Sequence, residues 1–244
     1  MVSPRADLPF GLQNSWGRGA HALEVGPAPA AILNTPHARA WSSAMDAPAL
    51  PALSPASPRL RALRRAVHVS FSLSLLYYLV PDPLPLVVLP KAHAALGLAL
   101  LVTLAEALRL SRGWSLSLMR DYERRQPAAY YWLGLGCCLA LVFFPPRFAV
   151  LTILGVCFAD PVIALSRQTS YKAHAPALGA LAWLAVGGAA VVVGGLNVPW
   201  WLLLGGAGAA VLAEGRRVPY VDDDFLMNTV PLVLLTLWAS ALGV

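Results

Sequence analysis

Charged residues are scarce in this chain: Asp, Glu, Lys and Arg supply 12% of 244 positions, while apolar residues supply 58%. An ordinary soluble domain carries about a quarter charged residues, so a soluble fold would be short of polar surface here. Cysteine is rare as well. Cys137, Cys138 and Cys157 all fall within apolar stretches and lack metal-ligand spacing; they read as small packing residues, which excludes a zinc site or a disulfide framework. Familiar catalytic signatures are also missing: there is no G-x-x-x-x-G-K-[ST] loop, no H-E-x-x-H helix and no G-x-S-x-G elbow. The net charge of +6 has the sign that nucleic acid attracts, but no aromatic-interleaved basic patch accompanies it, and no nucleic-acid partner is expected.

Long apolar runs are what the sequence has instead. They cover residues 60–80, 92–110, 128–144, 148–166, 175–196, 198–213 and 225–242, and a run of about 20 apolar residues crosses the ~30 Å hydrocarbon core as a helix. The expected fold is therefore all-α, a polytopic membrane protein of about seven transmembrane helices, with roughly six to eight as the range. The first run sets that range. Arg61, Arg64 and Arg65 crowd its entry, and residues 81–90 offer to prolong it beyond a proline kink.

Residues 1–58 differ in kind: they are rich in Pro, Ala and Ser, with scattered charges and no apolar period. They read as a disordered tail, leaving residues 59–244 as the membrane domain. The segment after Met1 has neither the basic start nor the apolar core of a signal peptide, and Met45 is an alternative initiator.

Threading about seven spans with the N-terminus inside sorts the basic residues sharply. Arg59, Arg61, Arg64, Arg65, Arg112, Arg120, Arg124, Arg125, Arg167, Lys172, Arg216 and Arg217 share one side, and only Lys91 and Arg147 lie opposite. The positive-inside rule makes the basic side cytoplasmic, and an integral protein of the cell inner membrane is expected. Acidic residues follow the same side although the rule does not require it. Glu106, Asp121, Glu123, Asp160, Glu214, Asp222, Asp223 and Asp224 lie in these loops or the adjoining helix turns, with Asp82 alone opposite.

Glu106 and Asp160 fall inside apolar runs, where an ionised carboxylate is costly unless paired, hydrated or metal-bound. Glu106 reads either as an i,i+3 partner of Arg109 or as a functional group. Asp160 reads either as a helix-end carboxylate reaching interfacial water or as a site residue, with Pro161 expected to break the helix behind it. His68, just after Arg64 and Arg65, reads first as an interfacial hydrogen-bonder. The strongest local signal is E-G-R-R-V-P-Y-V-D-D-D from Glu214 to Asp224. Consecutive carboxylates repel one another, and a shared hard cation such as Mg²⁺ relieves that repulsion. A solvated acidic cap on a helix N-terminus is the competing reading. Arg216, Arg217, Lys172 and Arg167 nearby favour a site that handles phosphates. Gly187, Gly188, Gly194, Gly195 and the stretch from Gly205 to Gly208 read as close-packing positions between helices.

In order along the chain these pieces resemble the polyprenol and lipid kinase family that includes dolichol kinase, the CTP-dependent diacylglycerol kinase and phytol kinase. The resemblance runs over most of residues 64–231. Its elements are R-R-A-V-H at Arg64 to His68, E-A-L-R at Glu106 to Arg109, and M-R-D-Y-E-R-R-Q-P-A-A-Y-Y-W from Met119. F-A-D-P-V-I-A at Phe158 to Ala164, A-E at Ala213 and Glu214, and V-D-D-D-F at Val221 to Phe225 complete the series. It implies transfer of a phosphoryl group from a nucleoside triphosphate, CTP first, to the hydroxyl of a membrane lipid alcohol within the bilayer. Asp160, Asp223 and Lys172 are then the expected catalytic residues. Asp160, Asp222 and Asp223 hold Mg²⁺ or position the hydroxyl; Lys172, Arg216 and Arg217 neutralise phosphates; and Glu214 orients one of those arginines. The chain departs from the family pattern twice. S-R-Q-T-S-Y-K-A-H stands where relatives carry K-S-x-x-G-S, and Asp224 stands where Asn is expected. A catalytically silent lipid-binding or scaffold homologue therefore stays open, as does a cytidylyltransferase, whose His-Gly-Gly signature is absent.

Overall fold

The computed structural model describes residues 58–85, 88–116, 118–216 and 218–243, so nearly all of the expected tail, and Arg217, lie outside the described residues. The described chain is helical, and its helices coincide with the apolar runs. They are α1 (Pro58–Ser70), which tightens into a 3-10 stretch (Phe71–Leu79), α2 (Lys91–Arg112), α3 (Ala129–Phe143), α4 (Pro146–Ser166), α5 (Ala175–Gly194), α6 (Trp200–Ala213) and α7 (Asp223–Leu242). Four helices, Lys91–Arg112, Pro146–Ser166, Lys172–Gly194 with its leading turn, and Asp223–Leu242, are long and apolar enough to cross a membrane; Ala129–Phe143 and Trp200–Ala213 are apolar but shorter. No strand forms among the described residues, where Leu84 with Leu89 and Val218 with Val221 make isolated bridges.

Local chemistry sets the boundaries. At the end of α1 the hydroxyls of Ser70 and Ser72 donate to the carbonyls of Val67 and Val69 at 2.7 and 2.8 Å, and the helix narrows to 3-10 geometry there. The next segment is a turn and not a continuation of the first span. Asp82 Oδ1 accepts from the backbone N–H of Lys91 at 3.1 Å and so caps α2. Gly113 ends α2 with φ +65°, its N–H closing onto Arg109 and Leu110. Asp222 caps α7 by accepting the N–H of Asp224 at 3.2 Å.

α4 is the buried centre of the bundle. Leu151, Ile153, Val156, Cys157, Ala159 and Ile163 are all inaccessible, and α1, α3, α5, α6 and α7 pack around them. The fully buried Trp183 of α5 determines one close approach: a methyl on Gly155 of α4 would collide with its indole, and one on Gly206 would press it from α6. Gly206 is a packing position, as expected, and Gly155 is one that the sequence reading did not single out. Gly188 and Gly208 are not, since nothing stands within 4 Å of a methyl at either place. Cys137 and Cys157 are buried and free, in keeping with a packing role. Pro161 does not break α4, which continues to Ser166. A proline removes one N–H donor, and α4 absorbs that loss because neighbouring helices enclose it.

Candidate functional site

Charged residues gather at one end of this bundle, in two arrangements of opposite kind. The first is a closed clamp. Arg109 donates twice to Glu106, Nε to Oε2 and Nη2 to Oε1, both at 2.8 Å, and also reaches the carbonyls of Trp114, Glu123 and Gln126 at 2.9–3.1 Å. Glu106 Oε1 further accepts the N–H of Ala128 at 2.8 Å. The pair thus ties α2 to both flanks of the 113–128 loop, which settles Glu106 as a structural carboxylate.

The second arrangement is open. His68 of α1 lies across one turn of α4, with Nε2 3.2 Å from the carbonyl of Val156 and Nδ1 3.6 Å from Oδ2 of Asp160. The same Nδ1 is 3.6 Å from Oδ2 of Asp224, which enters from the first turn of α7. A carbonyl can only accept, so the bond to Val156 requires Nε2–H, and the neutral ring then turns the lone pair of Nδ1 toward two carboxylates. Three acceptors facing one another at the buried end of a bundle require a cation among them, either a proton or a metal ion. One ligand atom from each of His68, Asp160 and Asp224 falls within 4.8 Å of the others, and Asp222, Asp223 and Asp224 form a second such group. Asp224 is common to both. Carboxylate oxygens of this kind suit a hard cation such as Mg²⁺.

A relay of hydrogen bonds frames the open group. Arg64 of α1 pairs with the buried Glu123 (Nη2 to Oε1, 2.6 Å; Nη1 to Oε2, 3.2 Å) and holds the carbonyl of Leu118 at 2.9 Å. Glu123 Oε2 accepts the N–H of Arg120 at 2.8 Å. The Arg120 guanidinium donates to the hydroxyl of Tyr122, which donates in turn to Oδ2 of Asp222 at 3.4 Å. Burial, with Asp223 beside it, pushes the Asp222 carboxyl up to about 6. Between these groups lies a cavity of about 300 Å³, lined by Arg61, Arg64, Arg65 and Arg120 together with His68, Asp160 and Asp224. Among apolar lining residues such as Leu60, Phe71 and Leu133 it brings cations and carboxylates into one space, the pairing that phosphate and metal together demand.

The expected site residues divide. Asp160 falls with His68 in one group and Asp222 with Asp223 in the other, and Asp224, the last of the three consecutive carboxylates, is the buried joint between them. Lys172 stands exposed on the short turn Lys172–His174 and does not line the cavity. Glu214 does not orient Arg216; its side chain, 5% exposed, pairs with Arg167 at 2.7 Å. The reason is local. Gly215, at φ +70°, reverses the chain, and Arg216 folds back so that Nε donates to Leu212 at 3.2 Å. Burial raises the Glu214 carboxyl above its ordinary range while Arg167 opposes that rise. The residues that sequence reasoning undervalued are His68, Arg64 and Arg120. The available signal was that Arg64 and His68 stand four apart, on one face of α1. Comparison with family models, curated proteins and solved structures returns no match, so the reading of this site rests on its own geometry.

Proposed function

We propose that the chain is a polytopic membrane phosphotransferase, moving a phosphoryl group from a nucleoside triphosphate, CTP first, to the hydroxyl of a lipid alcohol such as a polyprenol, phytol or diacylglycerol. The observation that carries this reading is the convergence of His68 Nδ1, Asp160 and Asp224 on the floor of an arginine-lined cavity. All the helical stretches are taken as spans, about seven with α1 and its 3-10 continuation counted together, and the arginine-rich end as cytoplasmic. A nucleotide then reaches the cavity from water, and a lipid hydroxyl reaches it from the bilayer.

Asp160 and Asp224 are the residues that would hold Mg²⁺, with Asp222 and Asp223 beside them at the helix start. When bound, Mg²⁺ supplies neutralisation of the phosphoryl charge, the main requirement of this chemistry. Arg120 takes phosphoryl oxygens. Arg64, already committed to Glu123, is a positioning residue that holds the Arg120 loop. His68, anchored through Nε2–H on Val156, accepts the proton of the lipid hydroxyl at Nδ1. The alkoxide oxygen forms its bond to the γ-phosphorus as the bond to the nucleoside diphosphate breaks. A second reading, a lipid-binding protein without catalysis, draws on one observation: Lys172 and Arg216 lie outside the cavity lining.

The deciding experiment supplies γ-labelled CTP, Mg²⁺ and each alcohol in mixed micelles. Labelled lipid monophosphate and CDP are expected, and pyrophosphate release would point to nucleotidyl transfer. If none of the alcohols is labelled from CTP, ATP, GTP or UTP by folded protein, the phosphotransferase reading fails and the silent one replaces it. Orientation is tested separately with single cysteines at positions 121, 172 and 223 in a background lacking Cys137, Cys138 and Cys157. Labelling by an impermeant reagent from outside sealed cells reverses the threading.

A further inference from the structure

A second cavity, of about 490 Å³, lies between the 3-10 stretch, α2 and α3. Small side chains create it. On α2 the lining residues Ala94, Ala95, Leu98, Ala99 and Val102 recur at helical spacing, three of them alanines, and on α3 they meet Gly134 and Cys138. Bulkier residues on these faces would fill the space between the two helices. The lining from Lys91 to Val102 spans about 16 Å at ~1.5 Å per residue, roughly half of the ~30 Å hydrocarbon core.

The two ends of this groove differ. At one end Lys91 closes it, with Nζ 5.0 Å from the centre of the Tyr77 ring and 3.3 Å from the carbonyl of Val80. At the other end Phe71 and Tyr130 line both this groove and the arginine-walled cavity above Asp160 and Asp224. An occupant suited to both spaces is apolar along its length and polar at one end. A partner helix has no use for a passage to buried carboxylates, whereas an amphiphile with a single hydrocarbon chain fits both spaces.

We propose that this groove holds the hydrocarbon chain of the acceptor lipid, with its hydroxyl passing between Phe71 and Tyr130 to reach His68, Asp160 and Asp224. The proposal rests on the phosphotransferase reading for the identity of the polar end. Chains up to about 16 Å lie wholly within the groove. The small residues of α2 and α3 are then determinants of chain fit.

The test is photolabelling of the detergent-purified full chain with a diazirine-bearing long-chain isoprenoid alcohol, without nucleotide, followed by mapping of the labelled peptides. Labels are expected on Ala94, Ala95, Leu98, Ala99 and Val102 and on residues 134–141, and unlabelled alcohol should compete for them. Ala99→Phe, which fills the groove, should cut labelling about tenfold, equivalent to ~1.4 kcal/mol of binding. Leu101→Phe, on the exposed face of the same helix, should leave it unchanged. Equal labelling by the same chain lacking its hydroxyl would show ordinary bilayer lipid and overturn the proposal, as would labels centred on the exposed Leu100 and Leu101. The wild-type map decides this even if Ala99→Phe misfolds. A protein labelled as expected that transfers phosphate from no nucleotide keeps the groove and loses the phosphotransferase; one that transfers phosphate but is labelled elsewhere loses the groove alone.

Discussion

Glu106 and Asp224 are equally hidden, each 6% exposed, yet their surroundings treat them in opposite ways. Glu106 has a guanidinium on both oxygens and a backbone N–H on one of them. Among the described residues Asp224 has an imidazole at 3.6 Å, with Asp160, Asp222 and Asp223 as its carboxylate neighbours. A carboxylate whose lone pairs are all used fastens a loop to a helix. One that faces other acceptors is suited to a shared cation, and the two kinds stand on separate helices, α2 and α7.

The comparison breaks first if the clamp proves dispensable. Arg109→Leu leaves Glu106 buried without its cation, and a loss of roughly 3–5 kcal/mol is expected. Thermal unfolding in detergent measures it, and a loss below about 1 kcal/mol would make the clamp an ordinary surface pair. For the open group the expectation has the opposite sign: Asp224→Asn removes repulsion, so stability without divalent cation should hold or rise. The same variant should lose the stabilisation that Mg²⁺ confers on wild type, about 2.7 kcal/mol at a hundredfold excess over its Kd. Retention of the full Mg²⁺ effect in Asp224→Asn would remove this residue from the metal group.

Smaller effects sharpen the picture. Arg120→Ala should cost ~1.5–3 kcal/mol of nucleotide binding, the worth of hydrogen bonds to a charged group, read as a tenfold or greater rise in the KM for CTP with kcat less affected. Lys172→Ala should matter least, within about 0.5 kcal/mol in stability as for an exposed substitution, and less than Arg120→Ala in KM. If the order of these two variants is reversed, the phosphate wall lies on the Lys172 side and the cavity has been misassigned.

Much of this architecture could be read along the chain. The apolar runs predicted the helices nearly residue for residue, because twenty apolar residues in succession have few ways other than a helix to satisfy their backbone in a bilayer. The i,i+3 relation of Glu106 and Arg109 was also legible, since both partners sit on one helix. Pro161 misled, because sequence alone could not show that α4 is packed among five other helices. The partner of Glu214 was not legible for a related reason: Arg167, at the end of another helix, pairs with it, a contact that the chain order does not indicate.

By itself, the sequence determined the helical character of the described chain and the gathering of ionisable residues toward alternate connections, since both depend on local composition and on the order of apolar and polar segments. Tertiary packing decided which ionisable groups of different segments meet. Arg64 and Glu123 lie 59 residues apart, and His68, Asp160 and Asp224 come from three helices; their contact depends on helix positions and rotations that local propensity leaves free. Those same rotations closed one buried carboxylate and left the other open, because a few ångströms of helix placement determine whether a cation or a second acceptor stands opposite.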